Sequence, residues 1–259
     1  VTALVPLALF PLLGIVDIQD AANPYANKTI YLFFGGFLIA TAIQKWDLHK
    51  RIALFVLENA GSNGASLIFG FMLTAAVISM WVMNTATTIM LLPIGLAVVS
   101  VVKTTVNYLS EEDIESFQLA LLLGIAYGAT IGGMSTLIGT GPNGMLAAFM
   151  ADNYDLDISF VDWMKVGVPL SAVMLPCSWF ILTKVIFRVN FETSSETRDL
   201  LATMKNDLGE LKGPELKVLI VFFLTALAWM FRTALDNFSL LSGICLLYTS
   251  PSPRDVEES

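Results

Sequence analysis

Long apolar stretches separated by short polar ones run along the chain, and two of them carry polar residues at their centres. Val1 to Val16 is apolar and contains Pro6 and Pro11, which a membrane helix tolerates when neighbours satisfy the freed backbone. Asp17 to Lys28 reads as a polar loop. Thr29 to Ile43 is apolar again, with a Gly35-Gly36 pair small enough to let another helix approach closely. From Trp46 to Ala60 the pattern predicts an amphipathic helix lying along a membrane surface, anchored by Ile52, Leu54, Phe55 and Leu57. Glu58 to Gly64 breaks it.

Ser66 to Val102 follows without one charged residue. That is nearly twice the roughly 20 residues one bilayer crossing needs. Its polar centre, Ser79-Met80-Trp81-Val82-Met83-Asn84-Thr85-Ala86-Thr87-Thr88, is either a connection outside the membrane or a turn held inside it. A turn inside must be buried in protein or line a watery cavity, because its backbone groups cannot face lipid. The pattern predicts the second: a re-entrant helical hairpin with both ends on one side, Lys103 marking the exit, and a tip that binds solute. A polar loop, Asn107 to Ser116, leads to a second long apolar run, Gln118 to Met150. Seven glycines crowd the run from Gly124 to Gly144, and Thr140-Gly141-Pro142-Asn143 cuts it. Proline removes a backbone donor and disfavours helix at the preceding residue, so the helix is expected to break there. Ala151 to Asp162 reads as a polar loop, Val166 to Phe187 and Val218 to Phe231 as membrane helices, and Arg188 to Glu215 as a charged connection on the cytoplasmic side.

Of the 259 residues, 56% are hydrophobic and 14% charged, against about 45–50% and about 25% in soluble domains. The apolar stretches are continuous, not alternating, so the expected class is an all-α polytopic membrane protein and not an outer-membrane barrel. The net charge of −8 arises largely in the loops and the polar tail and says little about partners; no nucleic-acid partner is expected. Lys45, His49, Lys50 and Arg51 cluster around Trp46, which marks the cytoplasmic interface and leaves His49 solvated. Cys177 and Cys245 lie in apolar runs and read as small membrane-buried hydrophobes. The chain opens in an apolar run without an initiator methionine or charged leader. It closes on a polar stretch, 247–259, that reads as a non-native tail, so an internal fragment of a larger protein is expected.

The two charge-free breaks are where chemistry belongs. Freed amide N–H groups and the positive ends of half-helices attract anions, while freed carbonyls with Ser, Thr and Asn oxygens form a hard-oxygen cage for a small cation. The bland alternative is helix packing, since Ser and Thr bond readily to their own helix. A lone Ser or Thr fits that alternative; Asn84-Thr85 together with Thr140-Gly141-Pro142-Asn143 does not. Proton-coupled carriers relay through buried acids or histidine, and neither break contains one, so Na+ coupling fits better. HExxH, GxSxG and paired intramembrane aspartates are all missing, and an enzyme is not expected.

The segment from Ser79 to Thr88, followed by Leu92-Pro93-Ile94, resembles the first Ser-Asn-Thr signature of the divalent anion/sodium symporter family, which carries dicarboxylates, citrate and sulfate. Ile131-Gly132-Gly133 with Thr136 to Asn143, and Leu32 to Leu38 with Trp46 to Leu54, are also similar to that family, in the same order. The resemblance implies a homodimer in which each chain is two inverted repeats and a transport domain moves like an elevator. This chain would then hold most of the first repeat: a scaffold part with a cytoplasmic amphipathic helix over 1–64, a transport-domain part over 65–151, and further membrane helices with a charged loop over 152–246. It also implies a sodium site using Ser79, Asn84 and carbonyls near Gly132 or Gly141, and a substrate carboxylate held by Asn84 and Thr85 with Thr140 and Gly141 close by, next to Pro142 and Asn143. Met83 stands where the family has a serine, and a thioether is a poor ligand for a hard cation. The expected function is Na+-coupled symport of a di- or tricarboxylate, or sulfate, across the plasma membrane. The rival expectation is an antiporter or efflux protein of the arsenite or Na+/H+ type.

Overall fold

The computed structural model describes residues 2–26, 28–58, 63–106, 108–192, 195–211 and 213–231. The expected features at Asn59 to Ser62, at Cys245 and in the 247–259 tail lie outside these residues. The described residues fall into two compact units, one within residues 2–35 and one within residues 36–231. The first holds α1 (Val5–Leu12), which opens with Pro6 in its first turn, and α2 (Ile18–Ala22), followed by a 3-10 turn, Asn23–Ala26. The stretch expected to be a polar loop from Asp17 to Lys28 is thus partly helical. Tyr25 ties it down by donating its hydroxyl to the Ala3 carbonyl.

Helix α3 (Lys28–Lys45) leads into the second unit, which contains α4 (Leu48–Glu58), α5 (Gly64–Ser79), α6 (Asn84–Thr105), α7 (Glu111–Gly133), α8 (Gly141–Tyr154), α9 (Phe160–Phe180), α10 (Ser195–Asp207) and α11 (Gly213–Met230). A π-helical turn, Ile181–Ile186, extends α9. Four of these helices are long and apolar enough to cross a membrane: Asn84–Thr105, Glu111–Gly133, Phe160–Ile186 and Gly213–Met230. The chain is a multi-pass integral membrane protein.

The starts of the helices follow from capping chemistry. The Asn63 side chain accepts the Ser66 N–H at 2.7 Å, Ser110 and Asp113 close a reciprocal capping box, and the Ser159 hydroxyl accepts the Asp162 N–H at 3.1 Å. Several segments read as loops are therefore helical at their edges: α8 continues to Tyr154, α9 begins at Phe160, and the charged connection carries α10.

Helices α5 and α7 form the centre of the core. Gly124, Gly128 and Gly132, four residues apart, present one bare face of α7 to α5. A Cβ at Gly128 would lie 2.9 Å from the Met72 Cα, and one at Gly132 would overlap the Ala76 backbone. These glycines serve close helix packing, not helix breaking. Phe71, Met72, Leu91, Phe117, Leu121 and Ile125 fill the surrounding space and are fully buried.

The α5–α6 hairpin has both open ends on one extended segment, Val189 to Glu192. Gly64 donates its N–H to the Phe191 carbonyl at 2.9 Å, and the Tyr108 hydroxyl accepts the Glu192 N–H at 3.3 Å. Phe191 itself lies edge-on against Phe117 at the start of α7.

Helix α4 corrects three expectations. Its Leu54 and Leu57 pack into the core, so the apolar face is turned to protein, and of the expected lipid anchors Phe55 is the one most exposed. His49 is not solvated but 4% exposed, with Nδ1 3.4 Å from the Ile43 carbonyl; burial lowers its pKa below the ordinary 6.5. Arg51 is likewise drawn inward, donating to the Gly209 carbonyl at 2.9 Å and to the buried Glu215 carboxylate at 2.9 Å. Cys177 lies on the exposed face of α9.

Candidate ion and substrate site at the hairpin tip

Between α5 and α6 the chain turns over Met80 to Met83. Helix α5 ends at Ser79, whose buried hydroxyl donates to Asn84 Oδ1 at 2.8 Å, closing the turn across five residues. Asn84 is the first residue of α6. Met83, the residue before it, is 50% exposed and offers no side-chain cap, so the first-turn N–H groups of α6 keep their hydrogen-bonding capacity. The Asn84 side chain lies directly on Gly133, the last residue of α7: a Cβ there would meet Asn84 Oδ1 head-on and sit 3.0 Å from Cγ and 3.1 Å from Nδ2.

The unwound segment of the second apolar run is Met134 to Thr140, a few residues earlier than Pro142 itself. Pro142 sits in the first turn of α8, where its missing N–H costs nothing, so it begins the second half-helix and does not cut it. Asn143 is buried and donates Nδ2 to the Gly133 carbonyl at 3.0 Å and the Thr136 carbonyl at 2.7 Å. Helix α9 supplies two more donors, Trp163 Nε1 to the Met134 carbonyl at 3.0 Å and the Ser171 hydroxyl to the Ile131 carbonyl at 2.8 Å. Gly167, between them on the same face, lets the Ser135 carbonyl approach α9. Thr136 joins the two breaks: its hydroxyl donates to the Met80 carbonyl. The carbonyls of Ser135, Leu137, Ile138 and Gly139 accept no hydrogen bond among the described residues.

The expected site residues therefore fall into groups. Ser79 and Asn84 touch, and Asn84 seats on the end of α7. Thr85 is exposed one residue into α6; Thr140 is half-buried, and Gly141 and Pro142 are exposed at the start of α8. No hydrogen bond among the described residues links Thr85 to Thr140 or Gly141. The Gly132 carbonyl already accepts the Ser135 N–H at 3.0 Å. Sequence reasoning missed Gly133, Thr136, Trp163 and Ser171 as site-building residues. The four-residue spacing of Trp163, Gly167 and Ser171 was a visible signal for one helix face aimed at the break.

The chemistry available is that of neutral oxygens and amides. Among the described residues no group of three or more His, Cys, Asp or Glu side chains could hold a metal ion. Behind the tip, Trp81 packs against Phe160 and Phe222, beside a cleft of about 80 Å³ lined by residues such as Val77, Val82 and Phe222. That cleft is apolar and is no place for an anion. The anion-attracting features, the N-termini of α6 and α8, belong to the tip and the break.

A family model described as "Citrate transporter" matches residues 1–258. The chain belongs to the citrate transporter family. The sodium-dependent dicarboxylate transporter SdcS of Staphylococcus saprophyticus is 36% identical over 232 residues, which cover 89% of this chain and 45% of that protein. SdcS of Staphylococcus aureus strain USA300 is 35% identical over the same length, with the same coverage of each chain. The chain spans a little under half the length of these relatives. Membership of a transporter family agrees with the lack of any catalytic constellation in the sequence, and it confirms the resemblance read from the tip and break motifs.

Proposed function

We propose that this chain supplies half of the binding site of a secondary active transporter that carries a dicarboxylate together with Na+ across the plasma membrane. The observation that carries the reading is the seating of Asn84: its side chain is fixed between the Ser79 hydroxyl and Gly133, where the start of one half-helix meets the end of another. Asn84 Oδ1 and the Ser79 oxygen are hard ligands, and with carbonyls near Gly132 and Gly141 they suit Na+. Asn84 Nδ2, the Thr85 hydroxyl and the first-turn amides of α6 suit a carboxylate, with Thr140 and Gly141 approaching from α8. The names of the relatives, sodium-dependent dicarboxylate transporters, favour a dicarboxylate such as succinate over sulfate. In this reading the remainder of the site comes from an inverted second repeat, and the complete protein is a homodimer working as an elevator.

Uptake by the complete protein in liposomes tests this. Succinate accumulation that requires Na+ and fails in choline is the expected result, and Asn84→Ala is expected to abolish it. Succinate uptake indifferent to Na+ overturns the reading. Arsenite export or Na+/H+ exchange in the same vesicles would replace it with the antiporter class.

A further inference from the structure

We propose that Thr136 is a positioning residue that couples sodium binding to carboxylate binding by locking the hairpin tip onto the helix break. The inference rests on the symport reading above and names a residue for it. Thr136 is fully buried in the unwound segment, and its hydroxyl works in two directions at once. It accepts the Gly139 N–H at 3.1 Å and donates to the Met80 carbonyl, 56 residues away in the chain. Among the described residues this is the one hydrogen bond joining the tip turn to the break.

Threonines inside the membrane helices do something else. Thr88, Thr130 and Thr183 all donate to the carbonyl four residues back in their own helix. Thr136 cannot, because α7 has ended at Gly133. Its proton goes across to the other break. The result is a chain, Gly139 N–H to Thr136 hydroxyl to Met80 carbonyl, in which each bond polarises the next. Asn143 holds the Thr136 carbonyl from the opposite side, so the threonine backbone is fixed while its side chain reaches out.

The consequence is mechanical. A cation drawn to the break carbonyls and Asn84 Oδ1 orders the break, and Thr136 carries that order to Met80, four residues before Asn84. The carboxylate-binding end of α6 is then in register only when the break is. Removing the hydroxyl takes this partner from the Met80 carbonyl and from the buried Gly139 N–H and lets the two breaks move apart.

The test compares Thr136→Val, which has the shape without the hydroxyl, with Thr136→Ser, which keeps the hydroxyl, in the complete protein reconstituted in liposomes. Sodium activation of succinate uptake is measured at fixed protein amount. Thr136→Val is expected to raise the half-saturating Na+ concentration about tenfold or more, and Thr136→Ser to stay within about twofold of wild type. The succinate KM of Thr136→Val is expected to rise at low Na+ and to recover at saturating Na+. If Thr136→Val does not fold, Thr136→Cys, a weaker donor, is expected to show a smaller shift of the same sign. A valine or cysteine variant with a wild-type sodium curve, or one that loses maximal rate alone, overturns this inference. A wild type whose uptake ignores Na+ overturns the symport reading and this inference with it.

Discussion

Gly133 lacks a side chain where Asn84 needs the room, and that makes it the most sensitive position near the tip. A methyl group there overlaps the Asn84 amide, which must then leave Ser79 or push α7 away. Gly133→Ala is expected to lower sodium-dependent uptake about a hundredfold, since a displacement of roughly 1 Å at a site can cost that much. Near-normal uptake at normal protein levels would count against Asn84 as the centre of the site. Met83 makes the opposite case. It occupies the cap position of α6 with extended backbone (ψ 139°) and no capping side chain. Met83→Ser places a hydroxyl there that can accept an orphan N–H of α6, worth about 1 kcal/mol of stability. It also adds a hard oxygen beside Asn84, so the half-saturating Na+ concentration is expected to fall. An unchanged sodium curve with higher thermal stability would restrict the hydroxyl to capping. His49 gives a pH dependence. Burial holds its pKa below 6.5, so the unfolded chain takes up a proton at a pH where the folded one does not. Stability is therefore expected to decline as pH falls below 6.5, and the decline ends once the folded-state pKa is passed. Asp47, 4.0 Å from Nε2, and Lys50 next to it act in opposite senses and leave burial dominant. Thermal unfolding of the complete protein in detergent checks this: His49→Gln should flatten the acid limb, and an identical limb in the variant would assign it elsewhere.

At the scale of elements, two contacts hold the unit together, and they differ in how far the sequence announced them. The α5–α7 seam depends on Gly124, Gly128 and Gly132, whose four-residue spacing is plain in the sequence. Glycine spacing alone does not separate a packing face from an unwound stretch; the contacts with Met72 and Ala76 make these three a packing face. The helices themselves and the charge-free turn were legible because apolar length is a local property, whereas Pro142 marked the start of α8 and not the break, which lies at Met134 to Thr140. The partners of the break carbonyls were not: Trp163 and Ser171 reach Met134 and Ile131 from a helix some 30 or 40 residues on, and no periodicity encodes such a pairing. Arg51 shows the same limit. A basic residue beside Trp46 reads as an interfacial anchor, yet it bonds to Glu215 and to the carbonyls that end α10. Truncating one partner of a buried pair strands the other, at about 3–5 kcal/mol. Arg51→Ala is thus expected to lower the melting temperature sharply, and Glu215→Gln, which keeps an acceptor oxygen, to lower it less. Equal small losses would show the pair to be solvent-screened.

The whole molecule turns on how far the α5–α6 hairpin enters the membrane. Its two helices are unequal: α5 has 16 residues, about 24 Å at 1.5 Å each, which falls short of the roughly 30 Å hydrocarbon core, while α6 has 22. Both open ends meet the Val189 to Glu192 segment, so they lie on one side whether the hairpin crosses fully or turns back. The position of the tip separates the two cases. A full crossing puts Met83 in the opposite aqueous phase, where an impermeant thiol reagent reaches a cysteine from that side alone. A re-entrant hairpin leaves Met83 inside the protein, reached from the side of the open ends through the cavity that serves the substrate. The second arrangement is favoured by the surroundings of the turn: Trp81 is packed among Phe160 and Phe222, and Met80 is tied to the helix break, neither of which suits a loop in free water. With Cys177 and Cys245 replaced by serine, Met83→Cys is expected to react from the same side as Asn63→Cys and Lys103→Cys, and more slowly when succinate and Na+ are present. Rapid labelling of Met83→Cys from the far side, unaffected by substrate, would make the hairpin an ordinary pair of crossings and remove the tip from the transport path.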